Sequence, residues 1–134
     1  MGEQKIVTVL LASRDKPAMS AFKAALEENQ VQTAWAESGG KAIARIAEGS
    51  FDLVVTDENL GDMTGLEFIE KVISIKPMVN CAAVTSLLPA DFHEASEGLG
   101  ILMPLPVSPG QAQAEKLLSR LKKILNLTEQ TAAR

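Results

Sequence analysis

The sequence predicts an α/β fold, an open parallel sheet of five strands in the order 2-1-3-4-5 with helices on both faces. Three observations carry that reading. Apolar, β-rich runs alternate with helix-periodic segments along the whole chain, five times over. The run Phe51–Asp57 (FDLVVTD) is almost continuously apolar until its closing acid, the habit of a strand buried on both faces of a parallel sheet. Strands so closely spaced must be joined by short helical crossovers of one hand, which leaves few topologies. Two helices are expected on one face and three on the other.

Each element has its own signal. Ile6–Ala12 (IVTVLLA) is the first strand, and Ser13–Lys16 a polar loop. Pro17 falls where the first turn of a helix tolerates it, and Met19, Phe22, Ala25 and Leu26 follow at helical spacing. Val31–Ala36 is a short second strand in which Trp35 packs. Gly39-Gly40 breaks the chain before a helix presenting Ile43, Ile46 and Ala47 on one side. Phe51–Thr56 is the third strand. Leu66–Ile75 is a helix with Phe68, Ile69, Val72 and Ile73 inward, stopped near Pro77. Asn80–Thr85 is the fourth strand, Ala90–Leu99 a weaker helix, Ile101–Leu105 the fifth strand and Gln111–Leu125 the last helix. Pro104 and Pro106 place the fifth strand at an edge, because a central strand cannot lose ladder donors. Residues 1–126 read as one domain and 127–134 as a polar tail or linker stub.

Composition narrows the function classes. The 134 residues suit a single domain, and a core of Val, Leu, Ile and Ala is expected because only 4% of them are aromatic. A net charge of −4 argues against a nucleic-acid surface, which needs clustered Lys and Arg. The basic residues of the last helix, Lys116, Arg120, Lys122 and Lys123, read as a solvated face. Cys81 is the single cysteine, so no intrachain disulfide forms, and it reads as a small core residue. No stretch approaches a membrane span or a signal segment, so a cytoplasmic protein without membrane contact is expected. His93 reads as solvent-exposed.

The chemistry-bearing residues sit at strand ends. Asp15 follows the first strand, Asp57 the third, and Thr85 closes the fourth. A parallel sheet brings these positions to one edge, where such folds bind ligands. Two carboxylates there repel unless a cation such as Mg²⁺ separates them, and a nearby hydroxyl can bond an anion attached to one of them. That assembly suits phosphoryl transfer onto an aspartate. Each residue also has a plainer reading. Asp57 can simply cap the next turn, Asp15 can N-cap the Pro17 helix, and Thr85 can be a structural strand residue.

The chain resembles the receiver domains of two-component response regulators over roughly residues 5–125. The resemblance rests on FDLVVTD, on the loop Leu60–Gly65 (LGDMTG) leading into GLEFIEKV, on Thr85, and on the Leu105-Pro106 junction. It implies a flavodoxin-like fold, Asp57 as phosphoacceptor from a histidine kinase or phosphotransfer protein, and no enzyme activity on a small molecule. It further implies Mg²⁺ held by Asp15, Asp57 and the backbone carbonyl of Asn59, with Thr85 following the phosphoryl group. Output by resemblance runs through the fourth helix, fifth strand and last helix, toward an output domain or a second copy. A cis Leu105-Pro106 bond is implied as well.

Two departures from the family pattern stand out. Arg14 takes the place of the first of two adjacent acids, and Leu105 that of a lysine. The departures imply weak Mg²⁺ binding and slow phosphorylation, with Arg14 as a possible substitute cation. Leu102 stands where many receivers carry an aromatic. The alternative within the family is a pseudo-receiver working by protein–protein contact alone. A haloacid dehalogenase-type phosphatase fits less well, since Asn59 occupies the place of its second acid. A flavodoxin-like cofactor binder lacks its phosphate-loop donors in Ser13–Pro17.

Overall fold

The computed structural model describes residues 6–125. The elements in order are β1 (Thr8–Ala12), α1 (Lys16–Glu28), β2 (Gln32–Ala36), α2 (Gly39–Glu48), β3 (Leu53–Thr56), α3 (Gly65–Ile75), β4 (Asn80–Val84), α4 (Pro89–Ala95), β5 (Pro104–Leu105) and α5 (Gln111–Ile124). The sheet is parallel throughout, with strand order β2-β1-β3-β4-β5. The tail expected over 127–134 lies outside the described residues.

Strands β1, β3 and β4 are buried on both faces, so their alternate side chains feed two separate cores. Val9, Leu11, Leu53 and Val55 face α1 and α5, meeting Phe22, Leu26, Leu117 and Leu121. Leu10, Val54, Cys81 and Ala83 face the other way, meeting Ile46 of α2, Phe68 and Ile69 of α3, and Phe92 of α4. Two helices therefore cover one face and three the other. Burial pushes the Cys81 thiol up to about 12, which leaves it protonated and inert inside the second core.

Several expected boundaries shift for local reasons. Helix α2 begins at Gly39 itself, because the Ser38 side chain accepts from Lys41 N at 3.1 Å and caps it there. Its buried residues are Gly39, Ala42 and Ile46, while Ala47, expected inward, is exposed. Helix α4 is only seven residues long, ending before Gly98 and Gly100, whose φ angles are +86° and +65°. Strand β5 shrinks to Pro104–Leu105 at the edge beside β4, as its prolines require. The described residues contain no cis peptide bond, so Leu105-Pro106 is trans, contrary to the expectation drawn from the resemblance. Trans is intrinsically favoured by about 0.5–1 kcal/mol, and Pro106 is exposed, with no packed turn to reward the other isomer.

Candidate functional site

Register builds the site. Ala12 at the end of β1 pairs with Thr56 at the end of β3, so the next residues, Ser13 and Asp57, leave the sheet side by side. Asp57 N donates to Ala12 O at 2.8 Å, and the buried Ser13 hydroxyl donates to Asp57 Oδ2 at 2.7 Å. The second carboxylate oxygen, Oδ1, accepts from Glu58 N at 2.8 Å. Both oxygens of Asp57 thus have close donors. Ser13 Oγ also accepts from Asp15 N at 3.0 Å, tying the β1–α1 turn to the same point.

Asp15 itself serves α1. Its Oδ1 accepts from Ala18 N at 3.1 Å in an N-cap, with Pro17 in the first turn. The helix-capping alternative describes what this side chain does here, and the side chain that the fold turns onto Asp57 is that of Ser13. Arg14 is exposed, and its guanidinium lies over the β3–α3 loop: a Cβ added at Gly61 would sit 3.1 Å from Nη1. Among the described residues it makes no ion pair with Asp57.

The loop after Asp57 is tightly made. Asn59 Oδ1 accepts from Gly61 N at 2.8 Å, and Gly61, at φ +88°, supplies the left-handed turn. Asn59 bridges Thr64 in antiparallel fashion, and Thr64 with Glu67 forms a capping box on α3. Asp62 reaches to the N-terminus of α2, accepting from Gly39 N and Gly40 N at 2.9 Å each. Those two backbone bonds, Gly40's first, hold its carboxyl below the usual range. Gly65 is obligatory, since a Cβ there would run into the Asp57 carbonyl.

On the far side of Asp57, Glu58 spans to the β4–α4 loop. Its Oε2 accepts from Ser86 N (2.9 Å), Ser86 Oγ (3.0 Å) and Thr85 Oγ1 (3.4 Å). The Thr85 hydroxyl is therefore directed at Glu58. Leu105 is buried in the core with Met103, between β4 and the α1–α5 layer, and contributes only its carbonyl, bonded by Thr85 N at 2.9 Å. Sequence reasoning passed over Ser13, Glu58 and Asp62. Only the position of Ser13, directly after a buried strand, carried a signal. The partners of Glu58 and Asp62 lie 22 to 28 residues away along the chain.

Comparison with known proteins places this arrangement. The model of the response regulator receiver domain matches residues 9–101. The chain belongs to the response regulator receiver domain family. This receiver is similar in structure to the chemotaxis response regulator CheY4 of Vibrio cholerae, at TM-score 0.79 and 20% identity, covering 87% of this chain and 99% of that one. It is similar also to a CheY-like receiver domain protein from Methanospirillum hungatei JF-1 (TM-score 0.74, 22% identity, 89% and 99% covered). A response regulator from Thermotoga maritima aligns at TM-score 0.77 and 19% identity, covering 88% of this receiver and 99% of its own chain. Identities so low show the shared fold. No curated protein sequence matches the chain.

Receiver domains are generally non-enzymatic signalling modules that bind Mg²⁺ at their phosphorylation site. They interact with histidine kinases or phosphotransfer proteins and with output domains. In this receiver both carboxylate oxygens of Asp57 already accept protein hydrogen bonds, whereas Mg²⁺ takes oxygen ligands in near-octahedral array. Ser13 donates to one carboxylate oxygen of Asp57, and Asp15 Oδ1 is bonded within its helix cap. No helix among them is long and apolar enough to cross a membrane.

Proposed function

We propose that this receiver acts by phosphorylation-independent contact with a protein partner, a pseudo-receiver in which Asp57 is a hydrogen-bonded structural group. The observation that carries the reading is the 2.7 Å bond from the buried Ser13 hydroxyl to Asp57 Oδ2. An acid at that position would draw a cation to Asp57; a serine hydroxyl instead satisfies the carboxylate directly. Leu105, in place of a lysine, offers no cation to a phosphoryl oxygen. Arg14, the possible substitute cation, has its guanidinium over Gly61 and makes no ion pair with Asp57 among the described residues.

Any phosphoryl group reaching this chain, from a histidine kinase or phosphotransfer protein, would go to Asp57, with Thr85 as the hydroxyl beside it and Mg²⁺ weakly held. That route is slow in this account, because it must break the Ser13 bond and proceed without the lysine. Contact through α4, β5 and α5, with an output domain or a second copy, carries the signal. No nucleic-acid or membrane surface is involved, and the protein works in the cytoplasm.

The test is incubation with a small-molecule phosphodonor and Mg²⁺, followed by mass. The unmodified chain should gain no phosphoryl mass over a time in which the Ser13→Asp, Leu105→Lys double variant gains it. Rapid stoichiometric labelling of the unmodified chain at Asp57 would overturn the proposal.

A further inference from the structure

Glu58 hydrogen-bonds both Asp57 and the β4–α4 loop. Its main-chain N–H donates to Asp57 Oδ1 at 2.8 Å. Its side-chain Oε2 gathers three donors from Thr85 and Ser86, 27 and 28 residues along the chain. Bonds to an ionised acceptor are roughly twice as strong as neutral ones, so this fastening dominates the loop's local hydrogen bonding. Thr85 Oγ1 in turn accepts from Leu87 N at 3.0 Å, which carries the fastening to the start of α4. Leu87 and Leu88 there are 45% and 71% exposed. A small pocket lined by Glu58, Leu66, Val84, Leu87 and Phe92 lies beside the loop.

We infer that Glu58 is a positioning residue that couples Asp57 to the exposed β4–α4 surface. A change of charge or bonding at Asp57 alters the pull of Oδ1 on the Glu58 amide. The peptide between the two residues turns, and the carboxylate that holds Ser86 and Thr85 moves with it. The Thr85 hydroxyl is bound to Glu58 in this arrangement, so the link runs through a carboxylate and not through a free hydroxyl. Nothing in it requires phosphorylation of Asp57, so it stands or falls separately from the proposed function.

The experiment is a double-mutant cycle read by NMR and amide hydrogen exchange on the full chain. Glu58→Ala should speed exchange of the Ser86 amide about tenfold while leaving the Val54 and Ala82 amides of the central strands unaffected. Asp57→Asn should displace the Ser86 and Leu87 resonances when Glu58 is present and leave them in place when it is absent. Equal displacement in both backgrounds, or an unchanged Ser86 exchange rate in Glu58→Ala, would overturn the inference. If Glu58→Ala does not fold, Glu58→Gln replaces it. A neutral acceptor should shrink the Asp57→Asn displacement, and an undiminished one would equally count against the link.

Discussion

At the scale of single residues, the state of Asp57 is set by what bonds it. A half-buried carboxylate that loses a charge-assisted donor is left partly unsatisfied, so Ser13→Ala should lower unfolding stability by about 1–2 kcal/mol. Urea denaturation measures this directly, and a change within a few tenths would mean that water replaces the hydroxyl freely. Asp62 offers a pH-dependent counterpart. Its folded carboxyl is held below its ordinary value of 3.8 by the Gly40 and Gly39 amides. The docking of the β3–α3 loop on α2 is therefore complete above 3.8 and is lost as pH falls through the lower, folded value. The Gly39 and Gly40 amide resonances should titrate together with a midpoint below 3.8, and Asp62→Asn should abolish the transition.

At the scale of elements, the end of α1 shows a local rule broken and a way to repair it. Val31 N bonds Leu26 O and Gln30 N bonds Glu27 O, at 3.1 Å each, which is a Schellman closure with Gln30 in the left-handed position at φ 64°. Glycine is the residue suited to that place, and Leu26 and Val31 already supply the buried apolar contact beneath it. Gln30→Gly should raise unfolding stability by roughly 0.5–1 kcal/mol, net of the added chain entropy of glycine. Thermal unfolding checks it; a loss of stability would show that the Gln30 side chain contributes more than its strained backbone costs. Element order and helix faces were legible because 3.6-residue periodicity and unbroken apolar runs are local signals. Element ends were less so. Helix α2 starts on its glycines because of one Ser38 side chain, and β5 begins at Pro104, three residues later than expected, while ending at the expected Leu105.

At the scale of the molecule, the sheet turns separate stretches of sequence into one site, and this is where sequence reading ran short. Asp57 was visible as an acid closing a buried strand, and Thr85 as a hydroxyl at the next strand's end. Ser13 and Asp57 lie 44 residues apart and meet only through the pairing of β1 with β3. In the absence of that register, the nearest acid, Asp15, stood in for the residue that faces Asp57, although its geometry is that of a helix cap. Leu105, which stands where the family pattern has a lysine, is a buried packing residue. The central claim is that Asp57 is satisfied by protein donors and takes no metal-borne phosphoryl group. Its most direct test is a titration of the full chain with Mg²⁺ and beryllofluoride, a phosphoryl mimic, followed by amide resonances. The account predicts that Asp57, Glu58, Asn59 and Thr85 stay in place while the Ser13→Asp, Leu105→Lys variant shifts. Saturable displacement of those four resonances in the unmodified chain would contradict it.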